Sequence, residues 1–441
     1  MDLSSDRTLK RTIQSDATYY VSSVAGSIAF ICQPIGSLMS GFIVEFFGRK
    51  WSMILVNIPF LLGWLLYCFS SSITMLFTAN IILGMGIGFM EAPIMTYLGE
   101  TCQPHLRATI TSFPGVTCQV SVFVVFLMGN ITDWRSVAGI NAALPIFTIC
   151  YVVLMPETPI WLLSRGRYDD ALRSLCWLRG WTTPDDVREE FNQLVVYSNA
   201  VNKTNFPVDK VGSTVVNNQV TRLFINCTYR LWREMLRPST LRPLMLVVPY
   251  FLIQQFSGMA SIRPYMVHVF RKFGLDDAAV GSAVIGIIGA VCLVSTVNWL
   301  GKRFLSLVAL AGNGVSCLLL GVYSYVVLRP GGATQYEAAW LPLSLIVVLS
   351  FCSSVMFEVP WMMLSEVFPF RTRGIASGFS AAMCYVFLFV SSKTYLDMEQ
   401  SLHIHGAFLL FAAVNAVGFI FVYYRMPRME GRSLAEIEDY F

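Results

Sequence analysis

Charged residues are scarce in this chain, and their scarcity excludes most classes of soluble protein. Asp, Glu, Lys and Arg together make up 13% of the 441 residues, whereas hydrophobic residues make up 55%. A soluble protein carries about a quarter charged residues. The composition therefore predicts a polytopic membrane protein in contact with the lipid bilayer. The basic residues form no single patch, so the net charge of +4 indicates no nucleic-acid partner.

Several chemical signatures are missing as well. No C-x-x-C pair occurs among the eleven cysteines, and none of them falls in a predicted outer loop, so we expect neither a disulfide framework nor a zinc site. The phosphate-binding pattern G-x-x-x-x-G-K-[ST] is absent, which argues against ATP-driven pumping. The four histidines do not group with acids as metal ligands. We therefore predict no enzyme, no catalytic residue, no metal and no cofactor.

Long apolar stretches dominate what is present. A membrane-spanning helix needs about 20 apolar residues, and the chain contains eleven such stretches. One hydrophilic interruption, 157–242, divides them into five and six. The sequence thus predicts an all-α membrane protein with eleven transmembrane helices. The predicted spans are 19–44, 51–70, 73–97, 109–129, 136–155, 243–264, 278–299, 304–328, 340–363, 375–395 and 404–425.

The spans and the basic loops between them predict a domain organisation. Lysine and arginine favour the cytoplasmic side, which places the Gly48-Arg49-Lys50 loop inside. An odd number of spans then puts the two termini on opposite sides. Five spans and six are unequal halves, so we expect a first helix upstream of Met1 to be missing. The predicted parts are an extracellular tail 1–18, an incomplete N-terminal bundle 19–156, a cytoplasmic helical linker 157–242, a six-helix bundle 243–425 and a cytoplasmic tail 426–441.

Short charged signatures occur twice, once in each apolar half. Gly41-x-x-x-Glu45-x-x-Gly48-Arg49-Lys50 has a shorter counterpart in Asn298-x-x-Gly301-Lys302-Arg303. In both halves an acid precedes an arginine by seven residues, first at Glu100 and Arg107 and then at Glu366 and Arg373. A repeat of this length, linking two apolar halves through charged loops, is typical of a two-bundle transporter.

Five motifs in a fixed order carry a family resemblance. They are Gly41…Gly48-Arg49-Lys50, Pro156-Glu157-Thr158-Pro159-x-Trp161-Leu162, Gln254-Gln255-Phe256-Ser257-Gly258, Pro360-Trp361…Glu366-x-Phe368-Pro369…Arg373-Gly374, and Glu430-Gly431-Arg432-Ser433-Leu434…Glu436-Ile437-Glu438. With them the chain resembles the sugar-porter branch of the major facilitator superfamily, and within it the facilitated trehalose transporter-like proteins. The resemblance implies two helix bundles and alternating access around a central site.

The resemblance also implies where a sugar would bind. Sugar recognition needs amides and hydroxyls beside an aromatic face, and four residues match the family's sugar-contacting positions. The alternative is that the glutamines bond to neighbouring helices and the tryptophan only packs. The candidate binding residues are Gln119, Gln254, Gln255 and Trp361.

Charges at the cytoplasmic helix ends predict a gate. Ion pairs there can close the inner mouth in one state and separate in the other. Exposed pairs are worth only about 0–1 kcal/mol each, so we expect a network of exposed pairs. The alternative is that these residues only mark the cytoplasmic side. The candidate gate residues are Arg49, Lys50, Glu100, Arg107, Lys302, Arg303, Glu366 and Arg373.

Two further acids lie deep in predicted spans. Glu91 precedes Glu100 by nine residues and Glu358 precedes Glu366 by eight, so both lie roughly 12–14 Å from the helix ends, near mid-bilayer. Buried acids in a membrane are functional candidates by default. Coupling to protons is one interpretation, and a structural ion pair is the other.

Two functions remain open at this stage. The first is a plasma-membrane transporter of a sugar (a hexose, a trehalose-like disaccharide or a polyol), either facilitative or proton-linked. The second is a transporter-fold sensor or non-transporting isoform that binds a solute or a partner without completing a transport cycle.

Overall fold

The protein is built from helices packed side by side. The computed structural model describes residues 29–203, 235–266, 278–327, 340–369 and 372–427, together with the single positions 269, 273, 429, 436 and 440, and no strand occurs within that part of the chain. The helices are α1 Ala29–Phe47, α2 Arg49–Cys68, α3 Ile73–Thr101, α4 Pro104–Ile131, α5 Trp134–Leu154, α6 Pro159–Ser164, α7 Tyr168–Leu178, α8 Arg188–Lys203, α9 Pro238–Gln255, α10 Met259–Ile262, α11 Ala278–Leu300, α12 Lys302–Val327, α13 Trp340–Leu364, α14 Arg373–Tyr395 and α15 Asp397–Arg425.

The apolar composition of these segments explains why they are helical. Water is absent from a bilayer core, so each segment has to satisfy its own backbone N–H and C=O groups. Helix starts are marked locally: Pro104 and Pro238 occupy first turns, and Ser72 Oγ accepts from the Met75 N–H at 3.3 Å. Among the described residues, eight helices (α1–α3, α5 and α12–α15) are long and apolar enough to span a membrane. Shorter apolar stretches lie in α4 and α11, so a total of eleven spans stays a prediction.

Two predicted spans have different limits in the structure. The predicted span 243–264 is not one continuous helix, because α9 ends at Gln255 and Gly258 adopts a φ of 120°, which breaks the helix. The predicted span 404–425 lies within α15, which begins at Asp397, and the non-helical backbone of His403 (φ 58°) directly precedes its predicted start. Residues 19–28 of the first predicted span lie outside the described residues.

Helices α1–α5 and α9–α15 form two bundles that meet along two seams. The first seam joins α4 to α11, and the second joins α1 to α14. At the second seam Ser37 Oγ donates to the Gly378 carbonyl at 2.8 Å. A Cβ at Gly41 would lie 2.8 Å from the Gly374 carbonyl oxygen. The bundles therefore touch there through their main chains.

The other face of α1 packs equally closely on α3. A Cβ at Gly36 would lie 2.2 Å from the Met85 carbonyl oxygen, and a Cβ at Gly88 would lie 2.1 Å from the Gln33 carbonyl oxygen. Helix α1 thus contacts its own bundle and the opposite one through glycine-lined faces.

The hydrophilic segment after α5 folds into helices, as its amphipathic pattern predicts. Helix α7 lies within the predicted helical linker 157–242 and packs on α6 around Leu162, Leu163 and Ala171. Ser174 Oγ donates to the Glu157 carbonyl at 2.5 Å and so ties α7 to the end of α5. Residues 204–234 of this segment lie outside the described residues.

Candidate solute site and charged network

The break after α9 positions two adjacent glutamines. Helix termini leave carbonyls without helical partners, and two serines beyond the break satisfy them. Ser257 Oγ donates to the Gln254 carbonyl at 2.7 Å, and Ser261 Oγ donates to the Gln255 carbonyl at 2.8 Å. Because the backbone is satisfied in this way, both glutamine side chains reach neighbouring helices instead.

Each glutamine side chain uses its nitrogen and leaves its oxygen without a partner. Gln254 Nε2 donates to the Phe357 carbonyl of α13 at 2.9 Å, and Gln255 Nε2 donates to Cys384 Sγ of α14 at 3.0 Å. Both residues are at most 2% exposed, and neither Oε1 atom has a hydrogen-bond partner. A buried polar atom without a partner costs about 1–3 kcal/mol, so each oxygen favours a ligand donor.

Helix α13 contributes an indole to the same place. Trp361 packs edge-on against Phe251 at 5.0 Å between ring centroids and lies 6.1 Å from the Tyr385 ring. The packing interpretation of this tryptophan is therefore correct in part. Its Nε1 is nevertheless buried without a hydrogen-bond partner, so the residue also offers a donor.

The two deep acids both reach across from one bundle to the other. Tyr385 Oη of α14 donates to Glu91 Oε1 of α3. Glu358 of α13 lies against α4 at Gly115, where a Cβ would come within 1.7 Å of the carboxyl carbon. Glu358 is 3% exposed, and its Oε1 has no hydrogen-bond partner. Only a glycine leaves room for this carboxylate.

Gln119 completes the group from the side of α4. It follows Gly115 by four residues and so lies on the same helix face. The residue is 3% exposed, and its Oε1 lies 3.3 Å from where a Cβ at Gly286 of α11 would be. Gln254, Gln255, Trp361 and the two deep acids are linked through contacts of Phe357, Cys384, Tyr385 and Gly115, and Gln119 lies one helical turn from Gly115. We name these six predicted residues the central site.

A second polar group occupies the end of the bundles that carries Gly48 and Gly301, which we name the basic end. Arg49 Nη2 lies 2.8 Å from Glu100 Oε1, and both side chains are 0% exposed. Thr158 Oγ1 donates to Glu100 Oε2 at 2.7 Å. The expectation of exposed pairs is wrong here, because the helix ends and the α5–α6 turn cover this pair.

Glu157 caps the start of α2. Its Oε1 accepts from the Arg49 N–H at 3.1 Å, and its Oε2 accepts from the Lys50 N–H at 3.1 Å. Burial raises the pKa of the Glu157 carboxyl, and the N–H groups of Thr158, Lys50 and Arg49 lower it in part. A carboxylate at this helix N-terminus also complements the helix dipole.

The second bundle has a matching pair. Lys302 Nζ donates to Glu366 Oε2, and both side chains are at most 5% exposed. Arg373 is 1% exposed, and its Nε donates to the Phe368 carbonyl at 3.2 Å. Both acid–base pairs lie within a single bundle. Contact between the bundles at this end comes instead from α1 against the start of α14, and from Gly99 of α3 against the Ser365 carbonyl beyond α13.

Other predicted gate residues lie nearer the surface. Lys50 Nζ donates to the Val153 carbonyl at 2.8 Å. Arg303 Nη2 donates to the Tyr423 carbonyl at 2.6 Å. The side chain of Arg107 lies outside the described residues.

Some residues of the central site and of the basic end were not predicted from the sequence. Glu45 precedes Arg49 by four residues and lies 3.8 Å from its guanidinium, which helical spacing could have indicated. Glu157 and Thr158 belong to a quoted motif whose role the sequence alone does not show. The partners of Tyr385 and Cys384 carry no sequence signal, because only folding brings α14 beside α3 and α9. Within the described residues no cluster of His, Cys, Asp and Glu could hold a metal ion.

Comparison with known proteins identifies the family. The family described as "Sugar (and other) transporter" matches residues 2–441. The chain belongs to this family. Members are membrane transporters and not enzymes, so the protein is a multi-pass transporter of the major facilitator architecture, as the resemblance implied.

Two insect relatives are both named facilitated trehalose transporter Tret1. The protein from Culex quinquefasciatus is 29% identical over 94% of this chain and 76% of its own length. The one from Polypedilum vanderplanki is 29% identical over 94% of this chain and 78% of its own length. Against the Anopheles gambiae protein of that name, at 28% identity, the chain spans 50% of the relative's length.

Solved structures of the xylose transporter XylE share the fold. The proton:xylose symporter XylE bound to 6-bromo-6-deoxy-D-glucose has a TM-score of 0.77 at 19% identity, covering 97% of this chain and 90% of the other. The inward-open form of XylE from E. coli has a TM-score of 0.65 at 17% identity, covering 96% and 89%. At these identities the similarity shows the fold alone.

Proposed function

We propose that this protein moves a sugar across the plasma membrane by alternating access, with the central site as its binding site. One observation carries the proposal. Three buried side chains from two helices of the second bundle, Gln254, Gln255 and Trp361, each present an unpartnered polar atom. Trp361 lies beside Tyr385, whose hydroxyl donates to Glu91 of the first bundle. Two acceptors, one donor and an aromatic face suit a polyhydroxylated solute. The names of the trehalose-transporting relatives support the same substrate class.

Uptake by the full chain in proteoliposomes tests the proposal. Radiolabelled trehalose, glucose and xylose are offered to the wild-type protein and to Gln255→Ala. Losing one buried hydrogen bond to the substrate costs about 1–3 kcal/mol, so we expect affinity to fall roughly 5- to 150-fold.

Asn141→Ala provides the matched control, since that amide bonds only to the Val137 carbonyl of its own helix, at 2.9 Å. We expect it to leave affinity unchanged. Equal losses in the two variants would remove Gln255 from the binding site. Binding of sugar without any uptake would instead favour a transporter-fold sensor.

The energy source of transport has two alternatives, and the two deep acids distinguish them. If uptake is facilitative, the internal sugar concentration rises only to the external one at any imposed pH gradient. If it is proton-linked, an acidic exterior drives accumulation beyond that level, and Glu91→Gln or Glu358→Gln abolishes the accumulation. We infer facilitative transport, because the most similar relatives reported above are named facilitated transporters.

The gate residues have a supporting role in this proposal. Arg49–Glu100 and Lys302–Glu366 fix the helix ends within each bundle, so that each bundle moves as a unit. The α1–α14 seam then opens and closes the basic end. We propose that this end faces the cytoplasm, as its lysines and arginines predict.

A further inference from the structure

We propose that the solute taken by the central site carries a basic nitrogen, as an amino sugar does. This inference rests on the proposed function and specifies its substrate class. A carboxylate among the recognition groups distinguishes this site from one built only of amides and hydroxyls.

The unpartnered atoms of the central site are mostly acceptors. Gln254 Oε1, Gln255 Oε1 and Glu358 Oε1 all lack hydrogen-bond partners, and Trp361 Nε1 is the one donor in this set of four. All four residues are at least 94% buried. A ligand that satisfies them has to supply more donors than acceptors. An ammonium group supplies three donors and no acceptor.

The charges around Glu358 favour a cationic donor. Arg263 and Glu91 are the charged groups that act on this carboxyl among the described residues. Glu91 adds a second negative charge, and its Oε1 accepts from Tyr385 Oη. Arg263 lies with its guanidinium over the Phe357 ring, 5.6 Å from the centroid. Glu358 therefore has one basic and one acidic neighbour, and a cationic group on the solute would give it a second basic partner.

The position of Glu358 is fixed by close packing. Its carboxyl group occupies the space that any side chain at Gly115 would fill. Gln254 holds the backbone of the preceding residue, Phe357, at 2.9 Å. The free carboxylate oxygen thus belongs to the residue next to the one that Gln254 holds. Charge-assisted hydrogen bonds are about twice as strong as neutral ones, so an amine gains more here than a hydroxyl.

Competition against tracer sugar uptake by the full-length protein in proteoliposomes tests the inference. The competitors are glucosamine, glucose and N-acetylglucosamine, since the last retains the nitrogen but not its charge. We expect glucosamine to inhibit at about 10-fold lower concentration than either neutral sugar. Glu358→Gln should bring the ratio of the inhibitory concentrations of neutral sugar and glucosamine close to one. Asp397→Asn removes a carboxylate from an exposed helix start and should leave the ratio unchanged.

Thiol labelling supplies a second readout that needs no transport. Cys118 lies on the outer surface of α4, and Arg263, Glu358 and Glu91 act on it electrostatically. We expect the cationic trimethylammonium-ethyl methanethiosulfonate to react with it faster than the anionic sulfonato-ethyl reagent. Cys118→Ser identifies the signal that belongs to this thiol.

Equal inhibition by all three competitors, with no preference for the cationic reagent, would overturn the amine inference and leave sugar transport standing. A chain that is inserted in the membrane but takes up no sugar would overturn the proposed function. If Glu358→Gln fails to fold, the preference for the cationic over the anionic reagent can still be compared between the wild-type protein and Glu91→Gln. That comparison still tests whether the site favours a cation.

Discussion

Two ion pairs of nearly equal length allow the effect of burial to be measured within one chain. Arg49 and Glu100 lie 2.8 Å apart and are fully buried, whereas Arg173 and Asp170 lie 2.9 Å apart with the arginine 78% exposed. Removing one partner of a buried pair leaves an uncompensated charge and costs about 3–5 kcal/mol. An exposed pair contributes about 0–1 kcal/mol. We therefore expect Arg49→Ala to lower the free energy of unfolding far more than Arg173→Ala.

The size of the effect makes the comparison decisive. A loss of about 3–5 kcal/mol lowers the folded-to-unfolded ratio roughly 150- to 5,000-fold. The assay is the denaturant midpoint of the purified protein in detergent, followed by tryptophan fluorescence. The double variant Arg49→Met with Glu100→Leu should recover part of the loss, because it leaves no unpaired charge in the interior.

Equal midpoints for the two single variants would refute the reasoning. That result would mean that water or a neighbouring group compensates the Glu100 carboxylate when the arginine is gone. Thr158 is one such neighbour, since its hydroxyl already donates to Glu100 Oε2 at 2.7 Å. Adding Thr158→Val to Arg49→Ala would then lower the midpoint further.

Three further changes test other contacts. Tyr385→Phe removes the hydroxyl that joins α14 to Glu91 and so weakens the contact between the bundles. Thiol reagents should then react with the central site roughly 10- to 100-fold faster. An unchanged rate would show that this bond does not hold the bundles together. Gly115→Ala should abolish transport in a folded protein, because its Cβ would overlap the Glu358 carboxyl group. Gly139→Ala should not, since a Cβ there would lie 3.7 Å from its nearest neighbour. Uptake that survives Gly115→Ala would contradict the close packing. Lys302→Met should lower the denaturant midpoint as much as Arg49→Ala does, and a smaller loss would show that its acid partner is neutral or solvated.

Much of the fold follows from the sequence because the bilayer restricts the choices. A long apolar run such as 51–70 can satisfy its backbone in a membrane only as a helix, and α2 lies within two residues of the predicted limits. The helix over the predicted span 243–264 is interrupted for a local reason. Hydrophobicity continues through Phe256 to Ile262, but Gly258 adopts a backbone conformation that ends the helix there.

The candidate site could be predicted only in part. Family motifs indicate Gln254, Gln255 and Trp361 because each lies in a recognisable run. Sequence spacing also places Glu91 and Glu358 at mid-membrane depth. It does not show that Tyr385 meets one acid or that Gly115 accommodates the other, because these partners lie hundreds of residues apart in the chain and come together only when the bundles pack.

The glycine-lined faces of α1 have a mechanical consequence. Contacts between interlocking side chains have to be pulled apart before two helices slide, and each such step adds a barrier. At Gly36, Gly41 and Gly88 main chain meets main chain instead, so the surfaces on both sides of α1 are smooth. We therefore expect α1 to slide against both neighbouring helices with little steric resistance, because these glycines carry no side chain.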